Sequence, residues 1–183
     1  MKIQAIKRLC MDRDTFYLYN CKNGQQFLCN GAAAWPVEGI RITEGMIPAL
    51  FDISEKQQTK VNIHEREYTD ERFCVEPWPG EKPLEDMGTV WDSGKFYKAL
   101  KGENGLLFID LAQTKPGENK EGKFVFFERG EEGRMPLVAC YGDMLAGALV
   151  MPTKARAIME TLEKISYIPL NPYCDDEEKD GEE

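Results

Sequence analysis

Apolar positions in the first third of the chain recur at strand spacing. Thr15-Phe16-Tyr17-Leu18-Tyr19 is aromatic and β-favouring, Asn23-Gly24 offers the positive dihedrals of a tight turn, and Gln26-Phe27-Leu28-Cys29 returns as the second arm of a hairpin. Lys2-Ile3-Gln4-Ala5-Ile6 alternates and reads as a further strand, as does Lys60-Val61-Asn62-Ile63-His64. Between them, Ile47 to Ile53 places Pro48 at a helix start, with apolar residues at helical spacing behind it.

Residues 77–88 interrupt these patterns. Pro77, Pro79, Gly80, Pro83 and Gly88 punctuate a charged stretch suited neither to a helix nor to a central strand, and it is read as a long connection between two halves. Beyond it the pattern predicts a short helix over Ser93 to Lys101, a buried strand over Leu106 to Leu111, and a polar turn over Lys115 to Gly122. Three strands follow, over Lys123 to Glu128, Leu137 to Tyr141 and Met144 to Met151. Ala155, Ile158, Met159, Leu162 and Ile165 mark one face of a last helix, begun by Pro152 and Thr153 and stopped by Pro169 and Pro172. The fold expected is α+β, with a largely antiparallel β-sheet and two or three helices. Its organisation is an N-terminal α+β half (1–76), the connection (77–88), a C-terminal α+β half (89–173) and an acidic, disordered tail (174–183).

Composition sets the class. With 183 residues, 42% hydrophobic and 30% charged, the chain buries a core without needing staples. That decides how Cys10, Cys21, Cys29, Cys74, Cys140 and Cys174 are read. No pair has zinc-knuckle or redox spacing, and the N-terminal residues lack the apolar run of a secretory signal, so reduced core thiols and a cytoplasmic location are expected. No stretch approaches the roughly 20 apolar residues of a membrane-spanning helix. The net charge is -9, and the last nine residues, with seven acids and one Lys, account for -6 of it. The body is therefore near -3, which does not exclude an anionic partner.

The single histidine, His64, restricts hydrolytic chemistry, which usually needs a His base. It lies beside Glu65, without a nucleophile-elbow motif or a cysteine in a known signature. The carboxylate pairs Asp12/Asp14, Glu65/Glu67, Asp70/Glu71 and Glu131/Glu132 sit in polar, turn-like segments, and the glycines form neither a Walker loop nor a dinucleotide fingerprint. No catalytic residue, cofactor or metal site is expected. Two basic clusters remain. Lys95, Lys98 and Lys101 fall at i, i+3 and i+6 of the expected helix, where they would touch nucleic-acid backbone as point charges, and Lys2, Lys7 and Arg8 form the second.

The stretch Met135-Pro136-Leu137-Val138-Ala139-Cys140-Tyr141-Gly142-Asp143-Met144-Leu145-Ala146-Gly147-Ala148-Leu149-Val150-Met151-Pro152 resembles the closing strands of DNA sliding clamps, in which a Pro-led strand, a turn and a last strand ending in Met-Pro or Ala-Pro finish the final domain. The resemblance centres on residues 123–152. It implies a clamp-like fold, with a duplicated unit, in a non-enzymatic accessory protein of DNA metabolism on a mobile element, acting through a protein partner and weak backbone contact. Two other readings stand beside it: an acidic DNA mimic or decoy, and a hydrolase using His64.

Overall fold

The computed structural model describes residues 2–103, 105–118, 123–131, 134–142 and 147–153. The expected helix over 155–165 and the acidic tail lie outside the described residues, which belong to one compact unit, Met1–Thr153. The fold is α+β, with ten strands, mostly antiparallel, in two sheets and four short helices among the described residues. No helix among them is long and apolar enough to cross a membrane.

The chain opens with α1 (Ile3–Met11), where sequence alternation predicts a strand. Five residues are too few to separate the two periods. Extended to Cys10, the apolar set Ile3, Ile6, Leu9 and Cys10 recurs every three or four residues, and Ile6, Leu9 and Cys10 are buried. The expected hairpin follows as β1 (Thr15–Cys21) and β2 (Gln26–Cys29), turned by Gly24 at φ 83°, then β3 (Ala33–Val37), which the sequence reading passed over. The helix expected from Ile47 is present but short, α2 (Ile47–Leu50), followed by α3 (Glu55–Gln58), whose Ser54 and Gln57 form a capping box. β4 (Asn62–Tyr68) pairs in parallel with β1.

Residues 93–101 are not a helix. β5 (Glu85–Asp92) and β6 (Lys95–Gly102) form a hairpin through Ser93 and Gly94, both at positive φ, 49° and 80°. Two successive left-handed residues make the turn whose twist matches paired strands, so the Ser-Gly step outweighed the lysine spacing. β7 (Gly105–Asp110) completes this three-stranded sheet and leads into α4 (Leu111–Thr114), capped by the Asp110 carboxylate, which accepts from the Ala112 amide at 2.8 Å. β8 (Val125–Glu131), β9 (Arg134–Tyr141) and β10 (Gly147–Val150) then join the first sheet, whose order is β4-β1-β2-β3-β10-β9-β8. Its strands come from both sides of residues 77–88, because β10 pairs with β3.

The two faces of the large sheet differ. One carries Phe16, Leu18, Leu28, Trp35, Val138 and Cys140, and packs with α1, the 42–53 segment and Leu100 and Ile109 of the small sheet into the main core. The other holds Phe27, Cys29, Ala34, Leu137, Ala139 and Leu149, which pack with Phe73 and Val75. Those last two belong to a strap, residues 69–84, that leaves β4 at one edge of the sheet and reaches β8 at the other, where the Leu84 amide donates to the Phe126 carbonyl at 2.7 Å. The prolines and glycines of the connection suit this path, which asks for no continuous ladder.

Arg129 anchors the strap. Its side chain is fully buried; it ion-pairs with Glu81 at 3.1 Å, donates to the carbonyls of Arg72 (3.3 Å) and Glu76, and lies 4.6 Å from the centre of the Trp78 ring. A charge so deep is tolerable only because its donors meet acceptors there.

Candidate functional site

A groove of about 740 Å³ runs between the C-terminal half of α1 and the β5–β6 hairpin, with the β7–α4 junction as its floor. The floor is rigid for a local reason. Asn30, 2% exposed, donates to the Leu9 carbonyl (3.1 Å) and the Gln113 side chain (3.0 Å) and accepts from the amides of Ala32 and Ala33, while the Trp35 indole donates to the Gln113 carbonyl at 2.8 Å. These bonds tie α1, the β2–β3 turn and α4 together, so the groove walls are held by buried polar groups that are all satisfied.

The walls are basic. Arg8 projects from α1, Arg13 from the turn that follows it, Lys95 from the hairpin and Lys115 from the turn after α4, against the two carboxylates Asp12 and Asp110. Asp110 is already committed: it caps α4 and lies 3.9 Å from Lys95. Among the described residues, no carboxylate lies within ion-pair distance of Arg8, Arg13 or Lys115. Beside these cations stands an exposed aromatic pair. Trp91 and Phe96 face each other across the hairpin register and are 65% and 58% exposed, and Phe96 itself lines the groove. Burying such rings against a ligand is favourable, and leaving them in water is not.

The three lysines expected to form one stripe separate on β6. Strand alternation points Lys95 and Lys101 to one face and Lys98 to the other. Lys98 is 19% exposed and held by Asp86 at 2.7 Å. Lys101 pairs with Glu85 at 3.7 Å and shares its surroundings with Glu81, Glu103 and Glu128, a local excess of negative charge. Only Lys95 reaches the groove. Of the second cluster, Lys2 pairs with Glu118 and Lys7 donates to the Asp52 carbonyl, so Arg8 alone joins Lys95. Sequence reasoning passed over Arg13 and Lys115, which carry no signal along the chain and join the groove only through the fold.

His64 is exposed on β4 and rests against the Tyr17 ring, centroids 5.8 Å apart. Glu65 points to the opposite face, where its carboxylate accepts from Asn20 (2.8 Å) and the Glu44 amide (3.0 Å), contacts that hold it below the usual carboxylate range. The pair therefore does not converge. Cys10, Cys21, Cys29, Cys74 and Cys140 are free thiols. Burial pushes Cys10 up to about 12 and raises Cys29 and Cys140 strongly, so these sulfurs stay neutral at pH 7. Among the described residues, no group of three or more His, Cys, Asp or Glu side chains is placed to hold a metal.

Chemically, the arrangement presents cationic side chains suited to an anion. Arg8, Arg13, Lys95 and Lys115 line the groove with Phe96, and Trp91 stands opposite Phe96 on the hairpin. No protein-family model matches the chain, and no curated protein or solved structure matches it either.

Proposed function

We propose that the protein is a non-enzymatic accessory module of DNA metabolism that holds single-stranded nucleic acid by its backbone in the groove between α1 and the β5–β6 hairpin. The observation that carries this reading is the convergence of Arg8, Arg13 and Lys115, all without carboxylate partners among the described residues, on one groove of a chain whose net charge is -9. Lys98 and Lys101 are held by acids, whereas exposed Lys22, Lys56 and Lys60 also lack carboxylate partners among the described residues; what sets Arg8, Arg13 and Lys115 apart is that they line one groove together with Lys95. Cations left uncompensated side by side cost self-repulsion and are best explained by a ligand that relieves it.

The four cations neutralise successive phosphates, and Trp91 and Phe96 supply faces on which bases stack. Neither interaction reads sequence, since backbone contact is common to all sequences and every base has a π-face. The resemblance to sliding clamps supports the setting in DNA metabolism, and the role argued here rests on the groove rather than on encirclement.

Fluorescence anisotropy of a labelled oligo(dT) at low salt tests this directly. Binding at micromolar concentration is expected. Joint replacement of Arg8, Arg13 and Lys115 with Gln should weaken it by at least about tenfold, and joint replacement of Lys98 and Lys101 with Gln should leave it within about twofold, because those two charges are already neutralised. Equal losses in the two variants would refute the groove as the site.

A further inference from the structure

The floor of the groove holds a polar group that the fold leaves unused. Gln113, on α4, is 6% exposed and borders the groove. The network beneath it decides which way its carboxamide faces. The Asn30 side-chain oxygen accepts from the amides of Ala32 (3.0 Å) and Ala33 (2.9 Å), so the nitrogen of that side chain is the donor to the Leu9 carbonyl and to Gln113. Gln113 must therefore meet Asn30 with its oxygen, at 3.0 Å, which turns its own Nε2 away from the network. Among the described residues, no group accepts from that nitrogen. No buried polar side-chain atom among them lacks a partner, so Nε2 lies at the surface that Gln113 presents to the groove.

We infer that Gln113 is the base-contacting residue of the groove: its Nε2 donates to an acceptor atom on the edge of a nucleobase, a contact that phosphate pairing and ring stacking do not supply. This rests on the proposed binding of single-stranded nucleic acid in the same groove. Charge favours a base over a phosphate as the acceptor. Asp110, at the start of the helix that carries Gln113, and Asp12 both line the groove, and their carboxylates oppose a phosphate approaching the floor. Phosphates are drawn instead to the walls, where Arg8 stands on α1 and Lys95 on the hairpin. An uncharged donor suits an uncharged acceptor, and Phe96, which lines the groove beside it, offers the ring on which a base is held. The donor is also set in place beforehand. Its oxygen is pinned by Asn30 and its backbone carbonyl by the Trp35 indole at 2.8 Å, so little side-chain freedom is lost when a ligand arrives. A ring of the same shape without good acceptors covers Nε2 and leaves it unpaired, which is how such a donor discriminates.

The test compares oligo(dT) with an oligonucleotide of equal length whose thymines are replaced by difluorotoluene, a ring of the same shape with fluorines in place of the carbonyl oxygens. Both are titrated against the full chain and its Gln113→Glu and Gln113→Met variants. Gln113→Glu keeps an oxygen for Asn30 and removes the donor, and Gln113→Met removes both without adding charge. Repulsion from the new carboxylate, or a loosened floor, weakens both oligonucleotides alike and cancels in the ratio of their affinities. Wild-type protein should prefer oligo(dT) about fivefold, and each variant should lose that preference. The Gln113 side-chain amide signals of isotope-labelled wild-type protein should shift with oligo(dT) and stay near their free positions with the difluorotoluene strand. Should both variants fail to fold, these signals decide alone. Equal wild-type affinities, a preference that survives both substitutions, equal losses for the two strands as a phosphate contact would give, or an amide unmoved by oligo(dT) overturns the inference and leaves the groove standing. Failure of wild-type protein to bind either strand at low salt overturns the groove and this inference together.

Discussion

Arg129 and Asp70 show how single side chains hold the strap. Arg129→Met should cost about 3 kcal/mol, because it leaves the Glu81 carboxylate, 9% exposed, buried without its partner. Urea unfolding measures this, and a loss under about 1 kcal/mol would mean the strap is seated by its apolar residues alone. Asp70 adds a pH dependence. The Arg72 hydrogen bonds beside it hold its carboxyl below the ordinary value of 3.8. A carboxyl depressed on folding stabilises the protein above its unfolded value and loses that contribution as pH falls through the folded one. Asp70→Asn should therefore destabilise by about 2 kcal/mol at pH 7, with the gap from wild type closing below pH 3.8. A gap that widened in acid would contradict the assignment.

Among the elements, the strap's fit is tested at Gly147, where an added Cβ would lie 2.9 Å from the Val75 Cβ. Gly147→Ala should cost about 1–3 kcal/mol through this overlap, read as a lower urea midpoint, and Val75→Ala in the same chain should recover part of the loss. The elements also show what was legible in the sequence. The β1–β2 hairpin was plain, since aromatic alternation and Asn23-Gly24 agree on one structure. Leu106 to Leu111 was nearly as plain. Two errors have the same origin: a short window judged by one period. Lys2–Ile6 alternates over five residues but belongs to a nine-residue helix, and the lysine spacing at 95, 98 and 101 hid a strand whose turn was announced by Ser93-Gly94. β3 was invisible because Ala33, Ala34 and Pro36 carry little strand preference, and their burial comes from neighbours on both sides.

For the molecule as a whole, the site was legible only in fragments. Arg8 and Lys95 were noticed separately, 87 residues apart, and only the packing of α1 beside the β5–β6 hairpin makes them neighbours. Neither Arg13 nor Lys115 stands out by spacing, because a groove assembled from three elements has no period along the chain. The thiols give a whole-chain check of the expected reducing surroundings. Denatured, unreduced protein should titrate all six cysteines, the five described ones being free, and recovery of four or fewer would show a disulfide.

The central claim is that unpaired cations in one groove hold a nucleic-acid backbone, and the salt dependence of oligo(dT) affinity measures it most directly. Each phosphate neutralised on a single strand contributes a slope of about -0.7 in log affinity against log salt. Contact by Arg8, Arg13, Lys95 and Lys115 thus predicts a slope near -3 for the wild-type chain and near -1 once Arg8, Arg13 and Lys115 are Gln. A wild-type slope near zero, no binding at low salt, or a slope unchanged in the triple variant would contradict the account.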